Sequence, residues 1–584
     1  MYYRLLVNGL LITVLGAAVA AARANDDVLR LTQDSRYWGY DGGNYHNWRY
    51  SGLYQINNKN IGALQAAWSM ATGSLQGQGG GPLVLPGAET GVNAPTLFIH
   101  TPFPDEVLAV NLENLRLSWM YDSGQTQTSL VQQCCRYRTR GLAYADGRLF
   151  LQQADQRLVA LEARTGNKLW VTEGAGTGVP NLISSLPYPV RNYLLAGFNT
   201  FSRSGITAYR ISNGRPLWSA FNSGTDAEAL FDAQTRFISG RSMDLGNIQG
   251  SRFTEDQSGS ESAIGLLAWD PQQNLIYYAG VMPLSRDTSS GRNRYAMTLY
   301  ARDVETGRAR WVYQLTPAGG TYYQAPGEMI LAEITLDGVP IPAVVHFSSN
   351  GFVYIINRVT GELLQARKFD ASVNWASAIN LDNGRPVSYE EEDNAGDAEC
   401  PSPIGARGDE PAAYSPHTGL FYVPVRHTCM GYRPAGAGRG PSLSAAAQTA
   451  RVDSFLLPAG TVMKDGSSHM GMVIAWDGAR ARSTWSVPES WPVMSGVLVT
   501  AGDVVFYGTL DGYLKAVDAK TGKSLWQFKV PSGVIGNINT WSYKDKQYIG
   551  VLSGAGDTTA LLAGDDTLNV PVRTGGTLMV FSLP

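Results

Sequence analysis

The residues with the most specific chemical potential in this 584-residue chain are its four cysteines. Cys134 and Cys135 are adjacent, while Cys400 and Cys429 flank a longer segment. An adjacent pair can close into a strained eight-membered ring, remain as two buried thiols, or pair elsewhere, and the residues alone leave these open. No Cys-x-x-Cys-His occurs, so the chain carries no c-type haem of its own. Six scattered histidines show no metal-ligand spacing. The Gly-rich stretch 73–82 (GSLQGQGGGP) is not followed by the Lys-Ser/Thr of a phosphate-cradling loop and reads as a connecting loop. The acidic run Glu390 to Asp393 reads as a solvated loop rather than a metal loop.

Two carboxylates have a better defined setting, because they stand in a recurring motif. Ala516 to Trp526 (AVDAKTGKSLW) reads as a strand, a tight turn and a second strand. Asp518 can cap the turn, Gly522 can take positive φ without a Cβ clash, and Trp526 opens the next strand. Ala160–Trp170 and Ala301–Trp311 repeat the motif closely, the latter with Asp303 as its Asp. Ala109–Trp119, Ala208–Trp218 and Ala475–Trp485 are weaker copies, and Ile355–Gln365 keeps Thr360-Gly361 but loses the Trp. Trp68 ends an opening half-copy. Units this small cannot bury their own sheets and must pack on neighbours. Their irregular spacing, about 40 to 120 residues, suits propeller blades with insertions better than a regular solenoid.

A closed ring of blades makes so long a chain one domain, and Gly at 65 residues matches many turns. The net charge of −3 provides no basic field for nucleic acid. Residues 1–24 read as a secretion signal: Arg4, the apolar run Leu5 to Ala20, then the small-x-small site Ala22-Arg23-Ala24. The mature chain, 25–584, is expected to be a soluble periplasmic propeller without a membrane span, in a compartment that permits disulfides. Residues 221–262 and 386–412 read as long loops, and the Gly/Ala/Pro/Ser-rich stretch 433–451 as a mobile one.

The chain resembles the quinoprotein alcohol dehydrogenases, particularly the methanol dehydrogenase large subunit. The resemblance runs over nearly the whole mature chain and is strongest at Ala501 to Gly533. It is also carried by Tyr50 to Trp68, by Cys134-Cys135 followed by Arg140-Gly-Leu-Ala, and by Cys400 with Cys429. It implies an all-β fold, an eight-bladed β-propeller closed by Trp-docking repeats. It further implies pyrroloquinoline quinone (PQQ) on the axis beside Ca²⁺ or a lanthanide, which polarises the quinone carbonyl through hard oxygen ligands. The implied bonds are a vicinal Cys134–Cys135 ring against the quinone and a Cys400–Cys429 disulfide. Arg140 is implied as a quinone contact, Asp303 as the base on the alcohol and a metal ligand, and Glu305 as the extra acid of lanthanide-using relatives. A periplasmic cytochrome c, or a homologous or small subunit, is the implied partner.

Asp303 is at the same time the Asp of the repeat, so turn capping competes with catalysis for it. Other family positions depart. The metal-binding Glu falls at Asn199, the metal-binding Asn at Met282, and the floor Trp at Ile264. The first-loop Glu falls near Gly79 beside Gln78, the base before Asn350-Gly351 at Ser349, and the Asn after Cys400 at Gly408. A thioether and a neutral amide replace hard donors, and a stacking face is lost. At roughly 1 kcal/mol for each lost contact, cofactor affinity falls by a factor of about 10³ or more. The reading is therefore a family propeller with an eroded metal and quinone site, serving as a binding or assembly partner. The alternative is an active PQQ dehydrogenase of a small alcohol with a rebuilt site.

Overall fold

A computed structural model describes residues 27–125, 141–153, 157–172, 185–199, 204–222, 225–238, 266–281, 295–317, 327–387, 398–402, 404–434, 452–457, 461–463, 465–556 and 573–584. Eight antiparallel four-stranded units follow one another around a ring. Blade 1 consists of Leu83–Leu85, Thr96–His100, Val107–Asn111 and Arg116–Tyr121, and blades 2 to 7 repeat this inner-to-outer order within 143–171, 188–221, 268–317, 330–368, 413–489 and 498–529. Blade 8 closes the ring: Asn539–Tyr543, Lys546–Ser553 and Thr577–Ser582 take their outer strand, Gln65–Ala71, from the start of the chain. Inner strands such as Leu83–Leu85, Ala143–Ala145 and Leu498–Thr500 are wholly buried, whereas outer strands alternate exposed and half-buried. The core therefore lies between blades, as expected of units that cannot fold alone.

The repeat motif is the lock between neighbours. Trp170 donates to Ile211 O (3.2 Å), Trp218 to Val304 O (3.0 Å) and Trp485 to Ala519 O (3.1 Å), each in the turn of the next blade. The indole lies flat on the turn glycine: a Cβ on Gly166 would come within 2.5 Å of Trp119, and one on Gly522 within 2.8 Å of Trp485. Gly522 also holds φ +70°, so glycine is required there twice over. Where blade 5 carries Gln365 in place of the Trp, the facing turn of blade 6 carries Ala481 in place of the Gly, at φ 50°. Without an indole to receive, a methyl group fits.

The opening segment is a plug rather than a linker. Trp38 bridges to Val84 of blade 1. Tyr45 Oη donates to Pro189 O of blade 3 (2.7 Å), and Trp269 N of blade 4 to Tyr45 O (3.0 Å). Leu331 N of blade 5 donates to His46 O, Tyr414 N of blade 6 to Trp48 O, and Val499 N of blade 7 to Arg49 O. Arg49 Nη2 donates to Ile538 O in blade 8 (2.6 Å). One segment thus satisfies inner-edge backbone groups of seven blades that would otherwise face an empty channel.

Two of the expected loops carry structure of their own. Arg236–Phe237 adds a parallel strand outside blade 4, and Met430–Pro434 pairs with Val452–Leu456, taking Arg433 and Pro434 out of the expected loop. Residues 435–451, 1–26 and the acidic run lie outside the described residues.

Candidate functional site

Strand direction divides the ring into two ends. In every blade the hairpin between strands one and two and the turn between strands three and four lie at one end, the turn end. The connections between strands two and three and from blade to blade lie at the other, the loop end. Cys134, Cys135 and Arg140 belong to the connection between blades 1 and 2 and lie outside the described residues. Gly141, next after Arg140, is tied to that end, because its carbonyl meets His100 Nδ1 at 3.1 Å, at the end of a second strand. Asn199 closes the second strand of blade 3, also at the loop end, pairing with Ser204.

Asp303 and Glu305 are at the turn end. Asp303 Oδ1 accepts from Glu305 N (3.1 Å), Thr306 N (2.9 Å) and Thr306 Oγ1 (2.9 Å). Asp518 does the same for Lys520 N, Thr521 N and Thr521 Oγ1 at 3.1, 3.0 and 2.9 Å. Asp303 ends a nine-residue strand, Tyr295–Asp303, so about 26 Å of extended chain separates it from the loop end. Glu305 is half exposed and paired with Arg191 at 2.5 Å. The expected grouping of Asp303, Glu305 and Asn199 around one ion does not form: Asp303 caps a turn of the repeat and Glu305 pairs with Arg191, both at the turn end, whereas Asn199 closes its strand at the loop end.

The loop end of the axis carries a different charge group. Arg407 donates to Glu328 through both Nη1 (3.0 Å) and Nη2 (2.6 Å), with side chains 0% and 1% exposed. Ala412 N adds a bond to Glu328 Oε1 (3.0 Å). Arg426 pairs with Glu410 Oε1, while Glu410 Oε2 accepts from Gly408 N (2.8 Å). In the plug, Arg49 stands 3.9 Å from Asp41, whose Oδ2 also accepts from Asn537 Nδ2 (2.8 Å). Burial pushes the Arg49 guanidinium below its usual value, against the opposing pull of Asp41 and Glu328. Three buried guanidinium groups thus face three buried carboxylates.

This donor set does not fit a hard cation. Ca²⁺ or a lanthanide needs six or more oxygens with carboxylate charge among them, and among the described residues both oxygens of Glu328 and of Glu410, and Oδ2 of Asp41, already accept from arginine, amide or backbone N–H. Withdrawing one from its arginine leaves an unpaired buried charge, at about 3–5 kcal/mol. Gly408 records the same rebuilding. A Cβ there would overlap the Arg426 guanidinium and lie 2.6 Å from Glu410 Oε2, so the ion pair fills the space a side chain would use. Gln78 is buried with its amide spent on Thr72 Oγ1 and Ser74 O, both at 3.2 Å, and Ser349 Oγ is buried without a partner. Met282 and Ile264 lie outside the described residues.

The Cys400–Cys429 disulfide is present, with Cα atoms 4.5 Å apart. The arginine–carboxylate pairs had no signal in the sequence, because Glu328 and Arg407 stand 79 residues apart. No helix among the described residues is long and apolar enough to cross a membrane.

The geometry defines a plugged, Trp-docked eight-bladed propeller. Residues 38–180, 200–367 and 469–549 match the family model described as the PQQ glucose/ethanol/alcohol dehydrogenase β-propeller domain, and the chain belongs to that family. It is 36% identical to the lanthanide-dependent methanol dehydrogenase of Methylorubrum extorquens over 98% of each chain. It is 32% identical to methanol dehydrogenase [cytochrome c] subunit 1 of Paracoccus denitrificans, over 97% of this chain and 93% of that one. A europium-containing methanol dehydrogenase structure superposes with TM-score 0.80 at 34% identity, over 96% of this chain and 100% of that one.

Proposed function

We propose that this chain is a periplasmic member of the PQQ alcohol dehydrogenase family that does not oxidise alcohols through a metal-bound quinone on its axis and serves as a binding or assembly partner. The observation that carries this reading is the closing of Asp41, Glu328 and Glu410 into arginine pairs at the axial loop end. Asn199 and Met282, standing where the resemblance places a Glu and an Asn, add to it. Residues 1–24 are removed on export, and 25–584 form one propeller.

The second reading is an active dehydrogenase of a small alcohol, with PQQ, Ca²⁺ or a lanthanide, and electrons passing to a cytochrome c. It is favoured by the 36% identity over 98% of the chain to a relative named as a lanthanide-dependent enzyme. Retention of Cys134, Cys135 and Arg140 points the same way. Titration of the purified chain with PQQ and Ca²⁺ or La³⁺, followed by quinone absorbance and dye reduction with small alcohols, separates the two. No quinone binding at tens of micromolar PQQ is the expected result. A stoichiometric quinone with metal-dependent turnover would overturn the first reading.

A further inference from the structure

At the loop end between blades 5 and 6, beside the Cys400–Cys429 disulfide, residues from three distant segments converge. His427 Nδ1 meets Asp370 Oδ1 at 2.8 Å, and His427 Nε2 meets Ser467 Oγ at 2.6 Å and Asp465 Oδ2 at 3.4 Å. One ligand atom from each of Asp370, His427 and Asp465 lies within 4.8 Å of the others. The order Asp–His–Ser invites comparison with a hydrolytic triad, but the Ser467 hydroxyl has one proton and also lies 2.6 Å from Asp465 Oδ1. Its backbone N–H donates to that same oxygen (3.0 Å), so neither an activated nucleophile nor an oxyanion donor is available.

Two atoms in this cluster have no partner. Asp370 is fully buried, and its Oδ2 accepts no hydrogen bond although Oδ1 accepts from Ser372 and His427. An unsatisfied buried acceptor is costly and calls for a cation or donor. His469 stacks on His427 with ring centroids 4.8 Å apart and planes at 18°, and its Nε2 is likewise buried and unpartnered.

We propose that Asp370, His427 and Asp465 form a binding site for a divalent first-row transition ion of the zinc type. A ring nitrogen with two carboxylates suits zinc and its neighbours, whereas calcium and lanthanides take oxygen. An ion entering at neutral pH displaces the imidazole proton, which leaves to solvent. The site is independent of the axis.

The test uses the untagged full chain, stripped with chelator and titrated with Zn²⁺ against a chromogenic competitor, with Co²⁺ absorption as a second readout. About one Zn²⁺ per chain is expected, undisturbed by excess Ca²⁺ or La³⁺. Asp465→Asn, on a partly exposed side chain, should weaken binding at least tenfold with the thermal transition retained. His427→Gln serves as the second variant, accepted only where its circular dichroism is unchanged. No stoichiometric zinc at micromolar concentration, or undiminished zinc in Asp465→Asn, overturns the assignment.

Discussion

Gly408→Ala is the smallest change that challenges the rebuilt axis. The added methyl group would overlap the Arg426 guanidinium and come within 2.6 Å of Glu410 Oε2. Arg426 is also anchored through Nη1 to Ile404 O at 2.9 Å, so it can yield only by leaving Glu410. The side chains are 7% and 4% exposed, which makes the pair a buried one. Separating it costs about 3–5 kcal/mol. With an unfolding entropy of about 2.1 cal/mol/K per residue over about 560 residues, 4 kcal/mol lowers the transition by about 3 °C. Scanning calorimetry on a double-mutant cycle isolates the effect. Arg426→Ala alone should cost a similar amount, and Gly408→Ala on that background close to nothing, giving a coupling of about 4 kcal/mol. Equal costs for Gly408→Ala in both backgrounds would refute the claim that the ion pair, rather than backbone geometry, dictates glycine here.

Two further outcomes are expected. Asp303→Ala removes three hydrogen bonds of a turn and should cost about 1 kcal/mol, Asp518→Ala should cost somewhat more because it also frees Asn58 Nδ2, and Asp303→Ala should leave quinone binding as it finds it. A loss of quinone binding confined to Asp303→Ala would restore that residue to the site. Stability should be greatest near pH 6–7. Burial, and then the Arg407 charge, hold His346 neutral with a pKa lowered to about 3, and burial lowers that of His46 to about 4. The unfolded chain therefore binds more protons below about pH 6.5, and His346 alone removes about 3 kcal/mol by pH 4. His427 has the opposite sign: its raised pKa stabilises fully below about pH 6.5 and the contribution fades as pH climbs through the folded value. Thermal transitions measured from pH 4 to 9 check both limbs, and His427→Gln should flatten only the alkaline one.

The blades were legible because one short motif fixes each of them locally. Asp518, Gly522 and Trp526 carry turn, positive φ and docking ring within eleven residues, and the copies announce the ring. Even the exception could be read, since Gln365 lacks the Trp that Ala481 would have blocked. The opening segment carried no signal of its role, because a plug has no period; its residues answer to seven different blades. Asp303 misled for a related reason: a motif match cannot say which end of a strand faces chemistry, and strand direction settles that against it. Asp370 comes from the connection between blades 5 and 6, and His427 and Asp465 from opposite ends of the one between strands two and three of blade 6, tens of residues apart, so no spacing rule for metal ligands could join them.

The two ends of the propeller answer to different demands. Docking indoles, turn glycines and capping carboxylates lie at the turn end and along the outer strands, where they hold each blade to the next. The loop end contributes little to that lock, so its residues can change without opening the ring. What they cannot do is leave buried charge unpaired. On the proposed reading the axis lacks hard-cation donors, so its carboxylates must find counter-charges within the chain, and Arg407, Arg426 and Arg49 supply them with three matching pairs. Substitution of Glu328 by Gln would then cost stability by stranding Arg407, whereas in a chain that reserved its axial carboxylates for a metal the same change would cost mainly metal affinity. The Trp-docked scaffold and the arginine-paired axis thus answer to one division of labour, and family membership alone carries no statement about the chemistry at the loop end.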